Sequence, residues 1–214
     1  MDRVNVGLLG CGSIGRTIAE AIDRQEAGRS ELVVVYDVLH ERAEDLARNL
    51  SRKPTVATSV EELLTDQLVN LVVEAANQAA VRDYVPEALR NRKNVMVMSV
   101  GAFADEGLFL RVTSLAEENN LRVYIPSGAL AGLDALKAAT AAGLEEVSIT
   151  TIKPPKGLEG APYIVQNEID LSSLKKPTLI YEGTAGEASC LFPANVNVAV
   201  ALSLAGVGPR RTTV

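Results

Sequence analysis

The chain has 214 residues, 47% of them hydrophobic and 22% charged, which suits one large domain or two small ones and excludes disordered, fibrous and collagen-like classes. Lys plus Arg number 21 against 27 Asp plus Glu, a formal charge of −6, which argues against nucleic acid or anionic lipid as a partner. The longest apolar runs, at 69–73 and 95–98, are strand-sized, far short of the roughly 20 residues of a membrane span.

From residue 4 to about 126, short β-rich runs alternate with segments of helical spacing. Strands are predicted over 4–10, 31–37, 69–75, 94–100 and 121–126. The segments between them carry apolar residues at helical intervals, such as Ile14, Ile18, Ala19 and Ile22, or Leu108, Leu110, Val112 and Leu115. Pro86 should kink or divide the helix expected over 78–90. After Pro126 the texture changes, with a small, flexible stretch at 127–132 and a helix over 133–142. Alternation over 147–153 predicts a strand with one wet face. An irregular loop follows at 154–177, then a short strand at 178–182 and helices at 185–191 and 193–205, the last starting at Pro193.

The chain enters its first strand at Met1-Asp2-Arg3-Val4 without the order of a signal peptide, so a cytoplasmic location is expected. Cys11, Cys190 and the single histidine, His40, have no metal-ligand spacing, so neither a metal nor a disulfide framework is expected.

Gly10-Cys11-Gly12-Ser13-Ile14-Gly15 follows the first strand and opens the first helix. In that position the first glycine permits a tight turn, the second lets a pyrophosphate approach the backbone, and the third lets helix and strand pack closely. The helix N–H groups then face the phosphates. Asp37 ends the second strand 22 residues past Gly15, where a carboxylate can accept from a ribose 2′-OH. These features predict NAD as cofactor, with NADP as the alternative through nearby Arg42. Cys11 reads as a small filler in the loop, without a base to make it a nucleophile. The predicted fold is α/β: a Rossmann-type doubly wound parallel sheet at 1–126, with a second, smaller α+β domain at 127–214.

Ligands of such sheets lie at the carboxyl ends of the strands. The candidates there are Glu74-Ala75-Ala76-Asn77-Gln78, Ser99-Val100-Gly101-Ala102-Phe103, Ser127-Gly128-Ala129, and Asn195 with Asn197. Among them Ala75, Ala76 and Ser99 are expected on the cofactor, and Ser99, Gly101, Ser127, Gly128 and Asn195 near a substrate. His40 follows Asp37 on the adenosine side and is expected on the surface, as are Asp134, Lys137, Lys153, Glu182 and Glu187. The chain has no Tyr-x-x-x-Lys pair of short-chain dehydrogenases. It also lacks the Glu-Lys-Pro of sugar and inositol dehydrogenases after its 94–100 strand.

The segments Val73-Glu74-Ala75-Ala76, Ser99-Val100-Gly101-Ala102-Phe103-Ala104-Asp105, Ile125 to Asp134, and Phe192-Pro193-Ala194-Asn195-Val196-Asn197-Val198-Ala199, together with the glycine loop, resemble the NAD(P)-dependent L-aspartate dehydrogenases over nearly the whole chain. The resemblance implies oxidative deamination of L-aspartate to oxaloacetate and ammonia through iminoaspartate, which can feed NAD biosynthesis. It implies a homodimer built around the second domain's sheet, with Ala129 and Asn197 on the nicotinamide half of the cofactor. The family's catalytic histidine lies in an Asn-x-His-Glu segment that would fall beyond Val214, so no catalytic base is assigned, and the second domain is expected to be short of its C-terminal part. Two other readings stay open: a non-catalytic NAD(H)-binding protein, and a dehydrogenase of another small amino or hydroxy acid.

Overall fold

The structure, a computed structural model, describes residues 3–214. Met1 and Asp2, where the sequence enters its first strand without a leader pattern, lie outside the described residues. The chain divides into two compact units: residues 1–99 with 107–126, and residues 100–106 with 127–214. Residues 100–106 therefore group with the later part of the chain, where a single cut after 126 would have kept them with the sheet.

The first unit runs β1 (Val4–Leu9), α1 (Ser13–Asp23), β2 (Ser30–Tyr36), α2 (His40–Asn49), β3 (Thr55–Val56), α3 (Val60–Thr65), β4 (Leu71–Glu74), α4 (Gln78–Arg90) and β5 (Asn94–Val97). It ends with α5 (Glu106–Glu118) and β6 (Val123–Tyr124). Its six strands lie in the order β3-β2-β1-β4-β5-β6, every pair parallel. This is an α/β, Rossmann-type sheet whose order reverses between β1 and β4, which puts a ligand crevice beyond the carboxyl ends of those strands.

Val6, Leu8, Val35, Val73, Ala19 and Leu46 form the buried cluster around the central strands. In α1 the buried residues Gly15, Ala19 and Ile22 recur at helical spacing. In α5 the buried stripe is Leu108, Val112 and Ala116, and Leu110 faces solvent at 64% exposure. The expected pairing of Leu110 with that stripe is corrected by period: two residues along a helix is about 200° around it.

Pro86 is buried inside α4, which runs undivided from Gln78 to Arg90. The missing N–H is offset by burial of Val85, Pro86 and Leu89 on the same helix. β3 was not predicted, being a two-residue edge strand on β2. The strand predicted over 121–126 shrinks to Val123–Tyr124, because β5 offers it only Val95 and Met96.

In the second unit, a 3-10 turn at Val100–Ala104 is joined by α6 (Leu133–Thr140), β7 (Val147–Ser148), α7 (Pro162–Gln166), α8 (Ala185–Leu191), α9 (Asn197–Ala205) and β8 (Thr212–Thr213). β7 pairs in parallel with β8, a two-residue partner, so the strand predicted over 147–153 stops after Ser148. The 178–182 strand does not form. The loop at 154–177 is irregular but carries α7 and two 3-10 turns. α9 begins at Asn197, because 193–196 is a turn in which the Asn195 N–H donates to the Phe192 carbonyl at 2.8 Å. Pro193 therefore precedes the helix by a turn.

Tyr163, Tyr181 and Phe192 pack ring against ring at 5.4 Å over a small core of Ala161, Ile164 and Leu171. Among the described residues no helix is long and apolar enough to cross a membrane.

Candidate functional site

At the carboxyl end of β1 each glycine of the loop has its own physical reason. Gly10 has φ +102°, and a Cβ there would lie 2.7 Å from the carbonyl carbon and oxygen of Ala75. A Cβ on Gly15 would lie 2.0 Å from the Gly10 carbonyl oxygen, so α1 can close on β1 only with glycine there. Gly12 is different: its φ is −70°, and a Cβ would meet nothing within 4 Å. Neither backbone conformation nor packing within the chain demands glycine at that position. The open space beside it is where a pyrophosphate would approach, and no side chain caps α1, which leaves its first N–H groups available. The loop thus fits a dinucleotide.

Asp37 is buried just past β2, and its carboxylate is fixed at both oxygens. Oδ2 accepts the Cys11 N–H at 2.8 Å and Oδ1 the Leu39 N–H at 2.9 Å. Cys11 is buried, and burial, helped by the Asp37 charge, pushes its thiol up to about 12. It stays protonated, in keeping with a filler residue.

Beside the loop lies a cleft of 240 Å³ whose lining includes Gly10, Asp37, Val38, Asn77, Asp83 and Tyr84. Asp83 and Tyr84 were not predicted. Their signal was helical spacing, one turn beyond Ala79 and Ala80, which line the same cleft. Arg42 is exposed and outside this lining. His40 is exposed too, with Nε2 3.5 Å from Glu44 Oε1.

Glu74, the last residue of β4, is fully buried. Its Oε1 accepts the Ala76 N–H and the Ser99 hydroxyl, both at 2.8 Å, and its Oε2 accepts the Ser99 N–H at 3.0 Å. Burial pushes its carboxyl above the usual carboxylate range, against the lowering effect of those bonds. Ser99 was expected on the cofactor and Glu74 only as a member of the strand-end group; their pairing was not foreseen. Ala75 donates its N–H to the Leu9 carbonyl at 2.8 Å, which holds the turn after β4 against the end of β1.

In the second unit, Asn197 opens α9, and its Oδ1 accepts the Gly101 N–H at 2.9 Å. Gly128 has φ +60°, and a Cβ on it would come 4.0 Å from Val198. Gly101, Gly128 and Asn197 therefore gather at the start of α9, while Ser127 and Ala129 flank Gly128 in exposed loop. Asn195 donates from Nδ2 to the Gly157 carbonyl at 3.1 Å. Asp134, Lys137, Lys153 and Glu182 are exposed. Glu187 closes a capping box with Thr184 at the start of α8. Among the described residues no three His, Cys, Asp or Glu side chains gather as a metal site.

Comparison with known proteins gives the family. The family "Aspartate dehydrogenase, C-terminal" matches residues 134–214, and "Homoserine dehydrogenase, NAD binding domain" matches residues 10–126. The L-aspartate dehydrogenase of Methanosarcina mazei is 47% identical over 99% of this chain and 77% of its own length. That of Nitrosopumilus maritimus is 43% identical over 98% of this chain and 76% of its own. The crystal structure of aspartate dehydrogenase from Thermotoga maritima is similar with a TM-score of 0.75 at 32% identity, covering 99% of this chain and 77% of that one. On the strength of these matches over nearly its whole length, the chain belongs to the L-aspartate dehydrogenase family.

Proposed function

We propose that this chain oxidises L-aspartate to oxaloacetate and ammonia through iminoaspartate, with NAD as the hydride acceptor. The aspartate half of the reading rests on membership of the family. The cofactor half is carried by Gly12, a glycine that nothing within the chain requires, beside an uncapped helix start and a fixed acid. Bound NAD would supply a nicotinamide ring that takes hydride from Cα of the substrate.

The chain's own residues bind and orient. Gly10, Gly12 and Gly15 shape the loop, and the N–H groups of Gly12, Ser13 and Ile14 meet the pyrophosphate. Asp37, held by two main-chain donors, keeps acceptor capacity for the ribose hydroxyls, and its negative charge disfavours a 2′-phosphate. That supports NAD over NADP. Ala75, Ala76 and Ser99 line the cofactor's path. Ala129 and Asn197 meet the nicotinamide end, and Gly101 fixes the Asn197 amide so that its Nδ2 can donate. Gly101, Ser127, Gly128 and Asn195 form the substrate end, where Asn195, with its amide nitrogen engaged by Gly157, offers its carbonyl oxygen. No acid–base role is assigned to His40, which is exposed and paired with Glu44.

Exposed Ile152, Val165 and Leu179 in the second unit support a homodimer. The free thiols of Cys11 and Cys190 support a reducing, cytoplasmic location. The test is NADH consumption on mixing the protein with oxaloacetate and ammonium. Turnover that needs both supports the reading. NADH binding without turnover by the full-length protein overturns it in favour of a binding protein.

A further inference from the structure

Glu74 presents a problem that the cofactor loop does not solve. It is a fully buried carboxyl group with no basic partner among the described residues, held by neutral donors at Ala76, Asn77 and Ser99. Such a group costs free energy unless its bonds are needed. All of those bonds come from residues at the carboxyl edge of the sheet, from backbone N–H groups at Ala76, Asn77 and Ser99 and from the Ser99 hydroxyl. The Ala76 N–H fixes the Ala75–Ala76 peptide, which is the surface on which Gly10 rests: a Gly10 Cβ would lie 2.7 Å from the Ala75 carbonyl carbon and 2.9 Å from the Ala76 nitrogen. The two Ser99 bonds fix the residue that follows β5, whose Val97 is in register with Glu74. One side chain thus ties the end of β4, the seat of the glycine turn and the end of the β5 segment into one piece.

We propose that Glu74 is a positioning residue for the cofactor site, setting the Ala75–Ala76 turn beneath Gly10 and the place of Ser99 without itself touching the cofactor. This rests on the reading that the Gly10–Gly15 loop holds a dinucleotide. Burial raises the carboxyl's affinity for its proton, and in either protonation state Oε2 remains the acceptor for the Ser99 N–H. Glutamine cannot reproduce the set, because its amide nitrogen would confront either the Ser99 N–H or the Ala76 N–H.

The test compares the full-length wild-type protein with Glu74→Gln, Ser99→Ala and Gly12→Ala, reading the NADH dissociation constant by fluorescence titration and the unfolding midpoint. Backbone amide exchange at Ala76 and steady-state constants complete the comparison. The expected result for Glu74→Gln is an NADH dissociation constant weakened about tenfold, the scale of one lost hydrogen bond to a charged group. With it, KM for NAD should rise while KM for aspartate at saturating NAD holds, and the Ala76 amide should exchange faster. A folded Glu74→Gln protein with a lower midpoint and wild-type NADH affinity overturns the proposal, since that is all a structural role requires. Should Glu74→Gln not fold, Ser99→Ala decides: it removes the hydroxyl donor and keeps the backbone donors, so faster Ala76 exchange together with weaker NADH binding upholds the proposal. Wild-type exchange at Ala76 overturns it. Wild-type NADH affinity in Gly12→Ala would instead overturn the reading of the loop itself.

Discussion

Asp37 and Cys11 are locked together, the acid's Oδ2 accepting the loop's Cys11 N–H at 2.8 Å while its Oδ1 holds Leu39 at 2.9 Å. The acid beyond β2 and the glycine turn beyond β1 are therefore one unit of structure, and a change in one is felt in the other. Asp37→Asn keeps the size but replaces one acceptor oxygen with a donor, leaving one buried N–H without a partner. The expected outcome is a stability loss of about 1–3 kcal/mol and a kcat/KM for NAD reduced about tenfold or more, NADP being affected less. Thermal unfolding and the NAD to NADP ratio of kcat/KM check it. An unchanged ratio would remove Asp37 from cofactor discrimination.

Gly12 and Gly15 should respond in opposite ways to the same substitution. Gly12→Ala places a methyl where nothing lies within 4 Å and φ is −70°, so stability should change by no more than about 1 kcal/mol, the helix-capping scale. NADH affinity should fall steeply. Gly15→Ala drives a methyl to 2.0 Å from the Gly10 carbonyl oxygen and should cost about 3 kcal/mol, the upper end for overpacking. Paired measurements of the unfolding midpoint and NADH titration separate the two.

The parts of the site legible in the sequence are those built locally. Gly10, Gly12 and Gly15 sit between a strand and a helix that announce themselves by pattern, and Asp37 closes the next strand. The cleft wall of Asp83 and Tyr84 was hidden because it depends on which face α4 turns to the ends of β1 and β2. Glu74 was visible only as one residue of a strand-end group, since its partner Ser99 is 25 positions away. The second unit was least legible for the same reason: Val147 finds its strand partner at Thr212, and alternation alone cannot say how long that partner is. The helix predicted from Pro193 forms but starts at Asn197, delayed by a local competitor, the Asn195 to Phe192 turn.

The raised carboxyl of Glu74 makes a pH prediction with a definite sign. Burial lifts its folded pKa above the unfolded value of 4.5, so the folded state binds that proton more tightly than the unfolded chain does. The associated stabilisation is fully present below the unfolded pKa and is lost as pH rises through the folded pKa. Wild type should therefore be favoured over Glu74→Gln most at acid pH, with the difference in midpoint shrinking toward neutrality. Exposed carboxyls with lowered pKa, such as Glu62 held by Thr58 and Glu187 held by Thr184, pull the other way in both proteins and cancel in the comparison. A difference that grows with pH would contradict the assignment.

Lys93 offers a control at the opposite end of the sheet. It precedes β5 and is 6% exposed, with Nζ donating to the Asp66 carbonyl at 2.6 Å and the Val69 carbonyl at 2.8 Å. Burial depresses its pKa, and its two bonds close the turn that leads into β4. Lys93→Met fills the same volume and leaves both carbonyls without their donor, so stability should fall by about 1–3 kcal/mol. Because every strand is parallel, this is the amino edge, away from Gly10, Asp37 and Glu74, and effects at separated sites are independent. The NADH dissociation constant should accordingly stay within about twofold of wild type, measured on protein well below its unfolding midpoint. Loss of NADH affinity in a stably folded Lys93→Met protein would mean that the two edges of the sheet are coupled, and that the effect of Glu74→Gln could not be ascribed to the turn beneath Gly10.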